Sequence, residues 1–569
     1  MAENPLKVVI FTSVPPRQVA RIMARLRRDA PEAQVVGVLY ERRAPKTLQQ
    51  RMGIWRKKMV RLVYWRYVLH RILATTESKL SGLLDAVIRC IHAAPKWPNG
   101  RAGYGLDDLA TACKTNGTEL FITRDIHSDD ALDFVRRLDA DLGLVFGTRI
   151  LKPALFEIPK QGSINIHKRK VPDYRGGGAV GLWELLDDQK EIGVTVHRVE
   201  AKVDVGSVVR STRIPIDPLD NLESLALKAA VVGADLIVAA IRDFAHGTVT
   251  EAPQNGPSKL FRSPSAEDLL QMKKKIAQRR PKDSNPFRRP AWKLLVKSLV
   301  YAAPIALRNW RYRRRNNYPV MILYHHLVSD RPHHFGASTV YFLRQVNYLL
   351  RHYRIVSLSE AVKLVREGGV SVPTIAITFD DGYADNFVNL RAVTEETGLP
   401  IAYFIATEHV STGREFAHDQ LRNEHGFLPN TWEQIEFLQR CGYEIGSHTR
   451  NHADCGSIDE EFLRHEIVGS GEDIRQRLGP TANFSFPFGL PQNISAPAVQ
   501  IAYASYKNVF SAYRGGNFHG DARQILKRGN FSHTLWELEL QLQSVLTGDE
   551  KEPPHLQLRV DERGSSTHP

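Results

Sequence analysis

Two adjacent carboxylates and a pair of histidines are the side chains of the second half of the chain best suited to chemistry. Asp380 and Asp381 follow the apolar run TIAITF, and His448 and His452 stand four residues apart. Two neighbouring carboxylates at the end of a buried strand repel each other unless a cation neutralises one of them. A spacing of four places both imidazoles on one side of a helical turn. One Asp and two His are the ligands of a catalytic metal site, and the remaining Asp is then free to act as a base on metal-bound water.

Three polar side chains of the first half could instead move an acyl group onto an amine. That transfer needs a donor for the developing oxyanion and groups that carry protons between the amine and the leaving group. Asn165 can polarise a carbonyl, and His167, on the same face of an extended strand, could hold the oxyanion when it is protonated. Asp204 follows another strand and could keep His167 protonated while it accepts the amine proton. An isolated Asn-x-His pair is more often structural than catalytic. Whether these residues are catalytic therefore has to be judged from the surrounding sequence.

Short apolar strands alternate with helical segments around this first set of side chains. The runs KVVIFTS and AQVVGVLY flank a helix-like segment, which is a βαβ unit, and TELFITRDI, DLGLVFG, GSINIH and GVTVHRVE continue the pattern. We therefore predict an α/β fold whose N-terminal domain, residues 1–265, is a doubly wound, mostly parallel, Rossmann-like sheet. No GxGxxG follows the first strand and no P-loop motif occurs.

The alternation of strands and helices restarts near Val320 and carries the second set of side chains. The runs VMILYHHL, TIAITFDDGY, IAYFIAT and YEIGSHT are typical of short strands, and helical segments separate them. This pattern predicts a second α/β domain over 318–548, an irregular (β/α) barrel, followed by a polar tail over 549–569.

Composition restricts the class of protein. The chain has 569 residues, enough for two to four domains, and its 77 Lys and Arg against 62 Asp and Glu give a formal charge of +15. Its four cysteines show no CxxC spacing, which excludes a disulfide framework and favours a reducing compartment. We expect no signal peptide, because no basic segment followed by an apolar one begins the chain. We also expect no membrane-spanning helix, because no run of about eighteen uncharged apolar residues occurs.

Much of the positive charge is concentrated in two basic stretches that also contain aromatic residues. One is a helical insertion over about 42–102, and the other lies within 266–317, the predicted linker between the domains. Both fit helices that lie on an anionic membrane, with Lys and Arg facing the head groups. Packing on the protein's own surface explains them about equally well. No nucleic acid partner is expected, because no recognition module accompanies the charge.

The segments GSINIHKRKVPDYRGGGAV and EIGVTVHRVEAKVDVGSVV resemble the folate-dependent formyltransferases. That family includes methionyl-tRNA formyltransferase and the enzymes that formylate amino groups on nucleotide-linked sugars, and the run DYRGGG is more similar to the sugar-amine branch. The resemblance implies that Asn165, His167 and Asp204 are catalytic and that 10-formyltetrahydrofolate is the co-substrate. The residues that it places in the folate pocket are Phe146, Gly147, Ile150 and Leu151.

The acceptor side of this first site departs from the family pattern. The resemblance places Tyr174 and Arg175 at the acceptor, but the family's usual Ser and Leu-Leu-Pro are replaced by a basic run that begins with Arg169 and Lys170. We hypothesise that Arg169, Lys170 and Arg175 face a phosphate on the acceptor. Solvated loop charges are an equally good explanation for any one of them.

The segments LYHHL, TFDDGY, GYEIGSHTRNHA and FSFPFG are similar to the polysaccharide deacetylases of the NodB-homology type, which resemble carbohydrate esterase family 4. The resemblance implies that Asp381, His448 and His452 bind a divalent metal such as zinc and that Asp380 is the base. The resemblance covers residues from about 318 to 530, nearly the whole of the predicted second domain.

Other features of the deacetylase pattern are only partly present. The resemblance places His325 beside the active site and Phe488 in the wall of the substrate groove. However, no Arg precedes the FPFG stretch to orient the base, and no clear Leu-x-His motif supplies a general acid. His533 is a weak candidate for that acid, and His519 is a weaker one.

The two resemblances together predict a bifunctional enzyme that acts on an amino sugar carried by a nucleotide, a lipid or an oligosaccharide. The C-terminal domain would remove an N-acetyl group, and the N-terminal domain would formylate a sugar amine, in cell-surface polysaccharide or glycolipid biosynthesis. Because the folate donor is cytosolic, we expect a cytoplasmic protein. If the basic stretches contact lipid, they would hold it at the inner face of the membrane. The alternatives are that the domains act on different substrates, that one domain is inactive, or that the chain is a carbohydrate-binding scaffold with degenerate sites.

Overall fold

The computed structural model divides the chain into two compact units, residues 1–76 with 101–281 and residues 77–100 with 282–569. The structure describes residues 5–42, 86–87, 89–90, 94, 105–261, 263–281, 291–519, 525–530, 535–545, 559–560 and 566–567. Most of the predicted insertion over 42–102, most of the predicted tail over 549–569 and the candidate acid His533 lie outside the described residues.

A seven-stranded sheet forms the centre of the first unit. The strands of this unit are β1 (Leu6–Thr12), β2 (Ala33–Glu41), β3 (Glu119–Thr123), β4 (Leu142–Phe146), β5 (Ser163–His167), β6 (Arg175–Gly176), β7 (Glu191–Arg198), β8 (Val208–Pro215) and β9 (Leu260–Phe261). The order in the sheet is β3–β2–β1–β4–β5–β7–β8, with β1 to β5 parallel and β7 and β8 antiparallel, and β6 pairs with β9 separately. The strand order reverses between β1 and β4, and ligand sites form at the carboxyl ends of strands at such a point.

Helices cover both faces of this sheet. They are α1 (Pro16–Asp29), α2 (Leu106–Thr115), α3 (Asp129–Arg137), α4 (Pro153–Phe156), α5 (Leu182–Leu186), α6 (Leu222–His246) and α7 (Ala266–Arg279). Successive residues of β1 enter two different cores: Val8 and Ile10 pack with α1 and α6, whereas Val9 and Phe11 pack with α3. A strand buried on both faces reads as a continuous apolar run, as β1 does. The doubly wound fold predicted for this domain is confirmed.

The helix α6 has the length and mean hydropathy of a membrane span, although the sequence predicted none. It has 25 residues, and its most apolar window has a mean hydropathy of 2.0. Inside the protein, 56% of that window is buried. The side chain of Asn221 caps its first turn by accepting hydrogen bonds from two backbone N–H groups. Ile237, Ile241 and Phe244 belong to the core beneath the sheet. The apolar character of α6 is therefore explained by its position as a core helix.

A parallel sheet of eight strands forms the centre of the second unit, which also contains two separate pairs of short strands. The strands here are β10 (Val320–His325), β11 (Leu327–Val328), β12 (Gly336–Ala337), β13 (Arg354–Ile355), β14 (Thr374–Phe379), β15 (Ala402–Ile405), β16 (Glu444–Ser447), β17 (Asn483–Ser485), β18 (Asn508–Phe510), β19 (Gly529–Asn530), β20 (Arg559–Val560) and β21 (Ser566–Thr567). Its order is β18–β17–β16–β15–β14–β10–β19, with β13 added beside β14. A bridge between Phe510 and Leu526 joins β18 to the segment that leads into β19, so the sheet closes on itself. This is the irregular (β/α) barrel that the sequence predicted.

Eleven described helices belong to the second unit. They are α8 (Ala291–Val300), α9 (Ala302–Arg315), α10 (Thr339–His352), α11 (Leu358–Glu367), α12 (Asn389–Thr397), α13 (Thr407–Thr412), α14 (Ala417–Gln420), α15 (Trp432–Arg440), α16 (Glu460–Leu478), α17 (Ala496–Ser505) and α18 (Leu535–Val545). The stretch predicted as a linker, 266–317, is therefore mostly helical: α7 belongs to the first unit, and α8 and α9 belong to the second.

Part of the predicted basic insertion packs in the second unit. The guanidinium of Arg89 donates hydrogen bonds to both carboxylate oxygens of Glu539, at 3.0 and 3.1 Å. The hydroxyls of Tyr348 and Tyr353 also donate to Glu539, at 2.7 and 2.8 Å. A buried charge pair persists only when its remaining hydrogen-bonding capacity is satisfied, and these tyrosines meet that condition. At least this residue of the insertion is held by the protein itself.

Candidate active sites

The predicted metal ligands converge at the carboxyl ends of β14 and β16. Asp381 directly follows Asp380 beyond β14, and its left-handed backbone, with φ of 71°, ends the strand there. Oδ1 of Asp381 lies 3.6 Å from Nε2 of His448 and 3.2 Å from Nε2 of His452. Neither carboxylate oxygen of Asp381 accepts a hydrogen bond, although both are buried. A buried carboxylate without a partner is costly, so this cluster has the electrostatics of a cation site.

The hydrogen bond made by His448 shows that its other nitrogen is free to bind a metal. Nδ1 of His448 lies 2.7 Å from the carbonyl oxygen of Ser485, so this nitrogen carries the proton and donates it. The lone pair of Nε2 then points towards Asp381. Burial lowers the pKa of His448 to about 4, so the ring is neutral at pH 7. Burial alone would raise the pKa of Asp381, but His452 outweighs it and holds that pKa well below its ordinary value. A neutral imidazole and an ionised carboxylate are what zinc requires.

The two histidines do not lie on a helical turn, contrary to the sequence-based interpretation. His448 follows β16 directly, and His452 lies in an irregular segment, with φ of 63° at Thr449 and 53° at His452. Left-handed residues turn the chain back on itself, so the loop brings the two rings to 5.1 Å between centroids. The spacing of four was a correct signal for proximity but not for local structure.

An arginine that the sequence analysis missed holds the predicted base. Nη1 and Nη2 of Arg528 donate to Oδ1 and Oδ2 of Asp380, each at 2.7 Å, in a bidentate pair. Arg528 also donates to the hydroxyls of Thr378 and Ser485, and the whole group is buried. The orienting Arg that is absent before the FPFG stretch is thus supplied by the segment that enters β19. No local motif indicates that Arg528 contacts Asp380, because the two residues are 148 positions apart along the chain.

The second set of candidate residues lies where β5 and β7 pair in the first unit. Asn165 of β5 is the register partner of His197 of β7. The side-chain nitrogen of Asn165 lies 3.2 Å from Nε2 of His197, and Asp204 lies 3.5 Å from that same nitrogen. On the other side, Oδ2 of Asp204 is 3.6 Å from Nδ1 of His167. The three predicted residues thus form one cluster with His197 at its centre.

His197 is the residue of this cluster that the sequence analysis missed. Its Nδ1 lies 2.6 Å from the carbonyl oxygen of Arg198 and therefore donates to it, which leaves Nε2 as an acceptor. The amide of Asn165 donates to that Nε2, so His197 fixes which end of the Asn165 side chain is the donor. The signal available in the sequence was a histidine directly after the largely apolar run IGVTV, and the structure buries that histidine.

The protonation of the cluster differs from the sequence-based interpretation. Burial lowers the pKa of His167, and the charge of Asp204 does not compensate, so His167 is neutral at pH 7. Nε2 of His167 lies 2.9 Å from the carbonyl oxygen of Tyr174 and donates to it, which leaves Nδ1 as a base. Burial would raise the pKa of Asp204, but His197 and His167 lower it to about 2, helped by the backbone N–H of Gly176. Asp204 is therefore a fixed negative charge beside a neutral imidazole.

Family models assign both halves of the chain. A model described as formyl transferase matches residues 72–241, which include Asn165, His167 and Asp204. A model described as polysaccharide deacetylase matches residues 367–504, which include the three predicted metal ligands. The chain joins a formyl transferase domain to a polysaccharide deacetylase domain. Both are families of enzymes, and the predicted resemblances are confirmed.

Curated relatives of the formyl transferase domain are methionyl-tRNA formyltransferases. The protein of Listeria monocytogenes serovar 1/2a is 33% identical over 158 residues, which are 27% of this chain and 49% of the relative. The protein of Thermodesulfovibrio yellowstonii is 33% identical over 172 residues, 30% of this chain and 55% of the relative. The chain spans about half the length of these curated relatives.

Solved structures similar to the chain include members of both classes. IcaB from Ammonifex degensii is 21% identical, covers 40% of this chain and 97% of its own, and has a TM-score of 0.34. An N-formyltransferase from Helicobacter canadensis, solved with folinic acid and dTDP-3-aminofucose, is 16% identical, covers 46% of this chain and 71% of its own, and has a TM-score of 0.28.

In the deacetylase domain, the predicted His325 and its neighbour His326 have different surroundings. The ring of His325 is buried and stacks on Phe379, and its Nδ1 accepts the backbone N–H of His326. The charge of His326, in contrast, contributes to lowering the pKa of both Asp380 and Asp381. His325 is thus engaged by neighbouring rings and backbone, whereas His326 interacts electrostatically with both carboxylates.

Phe488, which the resemblance placed in the groove wall, lies beside His452. Its ring is 4.9 Å from that of His452, in an edge-to-face arrangement, and it is about half exposed. Its backbone is left-handed, with φ of 59°. A half-exposed aromatic ring beside a predicted metal ligand offers an apolar surface for a ligand to contact.

A second group of possible ligands in the deacetylase domain does not fit a metal. Nε2 of His333 lies 2.9 Å from Asp419 and 3.4 Å from Glu424, and His334 also contacts Glu424. However, Nδ1 of His333 accepts the backbone N–H of Phe335, so its Nε2 must carry a proton. That proton is donated to Asp419, and no lone pair remains for a cation. We assign this group to a hydrogen-bond network that supports the loop.

We expect Arg528 to determine how far the pH can fall before deacetylase activity is lost. Burial would raise the pKa of Asp380, but Arg528 and His448 outweigh it, and the pKa lies below its ordinary value. A base acts as the carboxylate, so activity falls as the pH falls through that pKa. Arg528→Met should therefore move the acid limb of the kcat/KM profile to higher pH, whereas Arg528→Lys should move it less. An unmoved limb in the Met variant would show that Asp380 is not the titrating base.

The acceptor-side residues of the formyl transferase domain are mostly engaged by the protein. Nη1 and Nη2 of Arg169 donate to the carbonyl oxygens of Gly177 and Ala179, and the side chain is buried, so it cannot face a phosphate as hypothesised. Lys170 pairs with Asp173 at 2.7 Å and is about half exposed.

Tyr174 and Arg175 border the same cluster. The hydroxyl of Tyr174 donates to Asp187, and its ring stacks on Phe261. Arg175 donates to the carbonyl oxygen of Val203, next to Asp204. Tyr174 acts on the site through the backbone carbonyl that fixes His167, which the sequence did not indicate.

The predicted folate residues lie at the carboxyl end of β4, at the switch point of the sheet. Gly147 has a φ of 68°, and its carbonyl accepts the backbone N–H of Ser13 beyond β1. Leu151 is buried, whereas Ile150 is 70% exposed. An aliphatic side chain so exposed beside a crevice is suited to cover the flat ring system of a folate.

Proposed function

We propose that the protein is a bifunctional enzyme that removes an N-acetyl group from an amino sugar and formylates a sugar amine. The observation that carries the proposal is the presence, in one chain, of two complete polar clusters with complementary chemistry. One cluster fits amide hydrolysis, whose product is a free amine, and the other fits acylation of such an amine. The substrate class follows from the polysaccharide deacetylase domain.

The deacetylase residues divide the work of hydrolysis. Asp381, His448 and His452 would hold a divalent cation, most simply zinc, which when bound activates water and polarises the amide carbonyl. Asp380, held as a carboxylate by Arg528, accepts the proton of the attacking water. Protonation of the departing amine falls to another group, for which His326 is our candidate.

The formyl transferase residues act on the amine and the formyl carbonyl. The side-chain amide of Asn165, oriented by His197, donates to the carbonyl oxygen of the formyl group as negative charge develops on it. Nδ1 of neutral His167 accepts the proton that the attacking amine loses, and the negative charge of Asp204 stabilises the resulting imidazolium. As the bond between the formyl carbon and N10 of 10-formyltetrahydrofolate breaks, the imidazolium of His167 returns the proton to that departing nitrogen. The pocket for the co-substrate would be formed by the residues around Gly147.

The cellular setting is part of the proposal. Because 10-formyltetrahydrofolate is a cytosolic co-substrate, both reactions would take place in the cytoplasm, on a nucleotide-linked, lipid-linked or oligosaccharide amino sugar. The reactions fit the synthesis of a cell-surface polysaccharide or glycolipid. If the two domains use different substrates, the chain would join two steps of one such pathway.

Mass spectrometry of candidate N-acetyl sugars can test the proposal directly. We expect the full chain to remove acetyl groups when a divalent metal is present. With 10-formyltetrahydrofolate added, we expect formyl groups to appear on the same molecules. Deacetylated sugar that never gains a formyl group would refute the coupled reaction but not the deacetylase.

A second acceptor for the formyl transferase domain is favoured by the curated relatives, which are methionyl-tRNA formyltransferases. Methionyl-tRNA therefore belongs in the same assay as a competing acceptor. Formylation of that tRNA, with no formylation of any sugar amine, would assign the N-terminal domain to the other branch of the family.

A further inference from the structure

Helix α9 of the deacetylase unit buries one face against the rest of that unit. Ile305 and Asn309 of α9 are almost completely buried. The side-chain amide of Asn309 donates to Gln543 of α18 at 3.0 Å, and Arg308 donates to the backbone carbonyl of Gln543 at 2.6 Å. These contacts fix which side of α9 faces the protein.

The segment formed by α8 and α9 exposes large apolar side chains. They are Val296, Leu299, Val300, Tyr301, Leu307 and Trp310, which we call the α8–α9 surface. Val300 is 67% exposed and Trp310 is 53% exposed. Single exposed apolar residues are ordinary, but six of them within the fifteen residues from Val296 to Trp310 are a concentration of the kind that marks an interaction site.

Basic side chains accompany the apolar ones along this segment of the chain, and the segment contains no acidic residue. No Asp or Glu occurs anywhere from Ser284 to Ser329. Lys297, Arg311 and the run Arg313–Arg315 are exposed, and the guanidinium of Arg314 lies 5.4 Å from the ring centre of Trp310. The apolar residues Leu307 and Trp310 and the basic residues Arg311 and Arg314 follow one stripe of α9, at spacings of three and four.

We propose that the α8–α9 surface docks the protein on an anionic lipid bilayer. A nucleic acid would use the charge but not the apolar side chains. A second copy of the chain that docked through the same surface would place two basic segments, each without an acidic residue, opposite each other. An anionic bilayer complements both properties, because aliphatic side chains and Trp enter the interface while Arg and Lys contact the head groups. The two helices have 10 and 14 residues, so they can lie on a membrane but are too short to cross one.

Vesicle binding by the full-length protein tests this docking surface. We expect the protein to sediment with vesicles of phosphatidylcholine and phosphatidylglycerol, to bind pure phosphatidylcholine vesicles weakly, and to lose affinity as salt is raised. The double variant Leu307→Glu/Trp310→Glu should bind the anionic vesicles at least about tenfold more weakly. The matched control is Ile458→Glu, which changes an apolar side chain that is 83% exposed elsewhere in the same unit, and it should bind like the wild type.

Three outcomes would overturn the proposal. The first is wild-type protein that does not bind anionic vesicles, and the second is a double variant that binds as well as the wild type. The third is a lipid-free dimer, seen by light scattering, that the double variant abolishes, because a second copy would then cover the surface. Thermal unfolding at the wild-type temperature would show that the double variant is folded, and deacetylase activity on a soluble substrate should be unchanged in it.

Discussion

Asp380→Asn should lower kcat for deacetylation by about 10³-fold, because a positioned general base contributes on the order of 10²–10⁴ in rate. The asparagine keeps the shape of the side chain but cannot accept a proton from water. Metal content, measured by atomic absorption on the purified protein, should remain that of the wild type, because Asp381, His448 and His452 are untouched. The kinetic measurement is the rate of acetate release from an N-acetyl sugar.

The matched variant for this experiment is Asp381→Asn, whose expected effect is different. It removes the charge of the one carboxylate that both histidines contact, so the protein should lose its metal as well as its activity. Because Arg528 would be left without its carboxylate in Asp380→Asn, the unfolding temperature of that variant should also be measured. Full deacetylase activity in Asp380→Asn would remove Asp380 from the mechanism.

Asn165→Ala should lower kcat for formyl transfer by about 10²–10³-fold, which is the effect of removing one donor to a developing oxyanion. The fold should survive, because Asn165 is only partly buried and its side chain contacts His197 rather than the core. The assay is the release of tetrahydrofolate in the presence of an amino sugar. KM should change little, because the interaction that is lost strengthens only in the transition state.

The bifunctional chain supplies its own control for this variant. Asn165→Ala should leave acetate release unchanged, just as Asp380→Asn should leave tetrahydrofolate release unchanged. The kcat of His197→Ala for formyl transfer should lie between those of the wild type and Asn165→Ala. This variant leaves the Asn165 amide in place but removes the ring that orients it. If His197→Ala were as active as the wild type, the orientation of Asn165 would not depend on His197.

The polar clusters could be predicted from sequence because short segments carry their members. Asp380 and Asp381 are adjacent, and Asn165 and His167 are two residues apart, so the end of a single strand presents each pair. The β1 run, apolar at every position, likewise predicted a strand buried on both faces, and the structure shows two cores on either side of it. Local patterns of this kind fix the type of an element and the residues that it presents.

Other features depended on contacts between distant parts of the chain. Arg528 reaches Asp380 only because β19 lies beside β10 in the closed barrel, which no spacing in the sequence reveals. Arg169 is a basic residue, but its guanidinium donates hydrogen bonds to two backbone carbonyls of its own loop and is not available to a ligand. A sequence shows which charges are present, whereas folding decides which of them remain available to a ligand.

By itself, the sequence determined that the chain has two α/β domains, and it predicted a formyl-transfer triad in one and a metal-binding carboxylate–histidine set in the other. Only the tertiary structure decided the protonation of those groups, because burial and long-range partners set a pKa. His167 is neutral because burial outweighs Asp204, and Asp380 stays ionised because Arg528 outweighs burial. In each case the opposing effects on the pKa come from residues that folding brings together from separate strands.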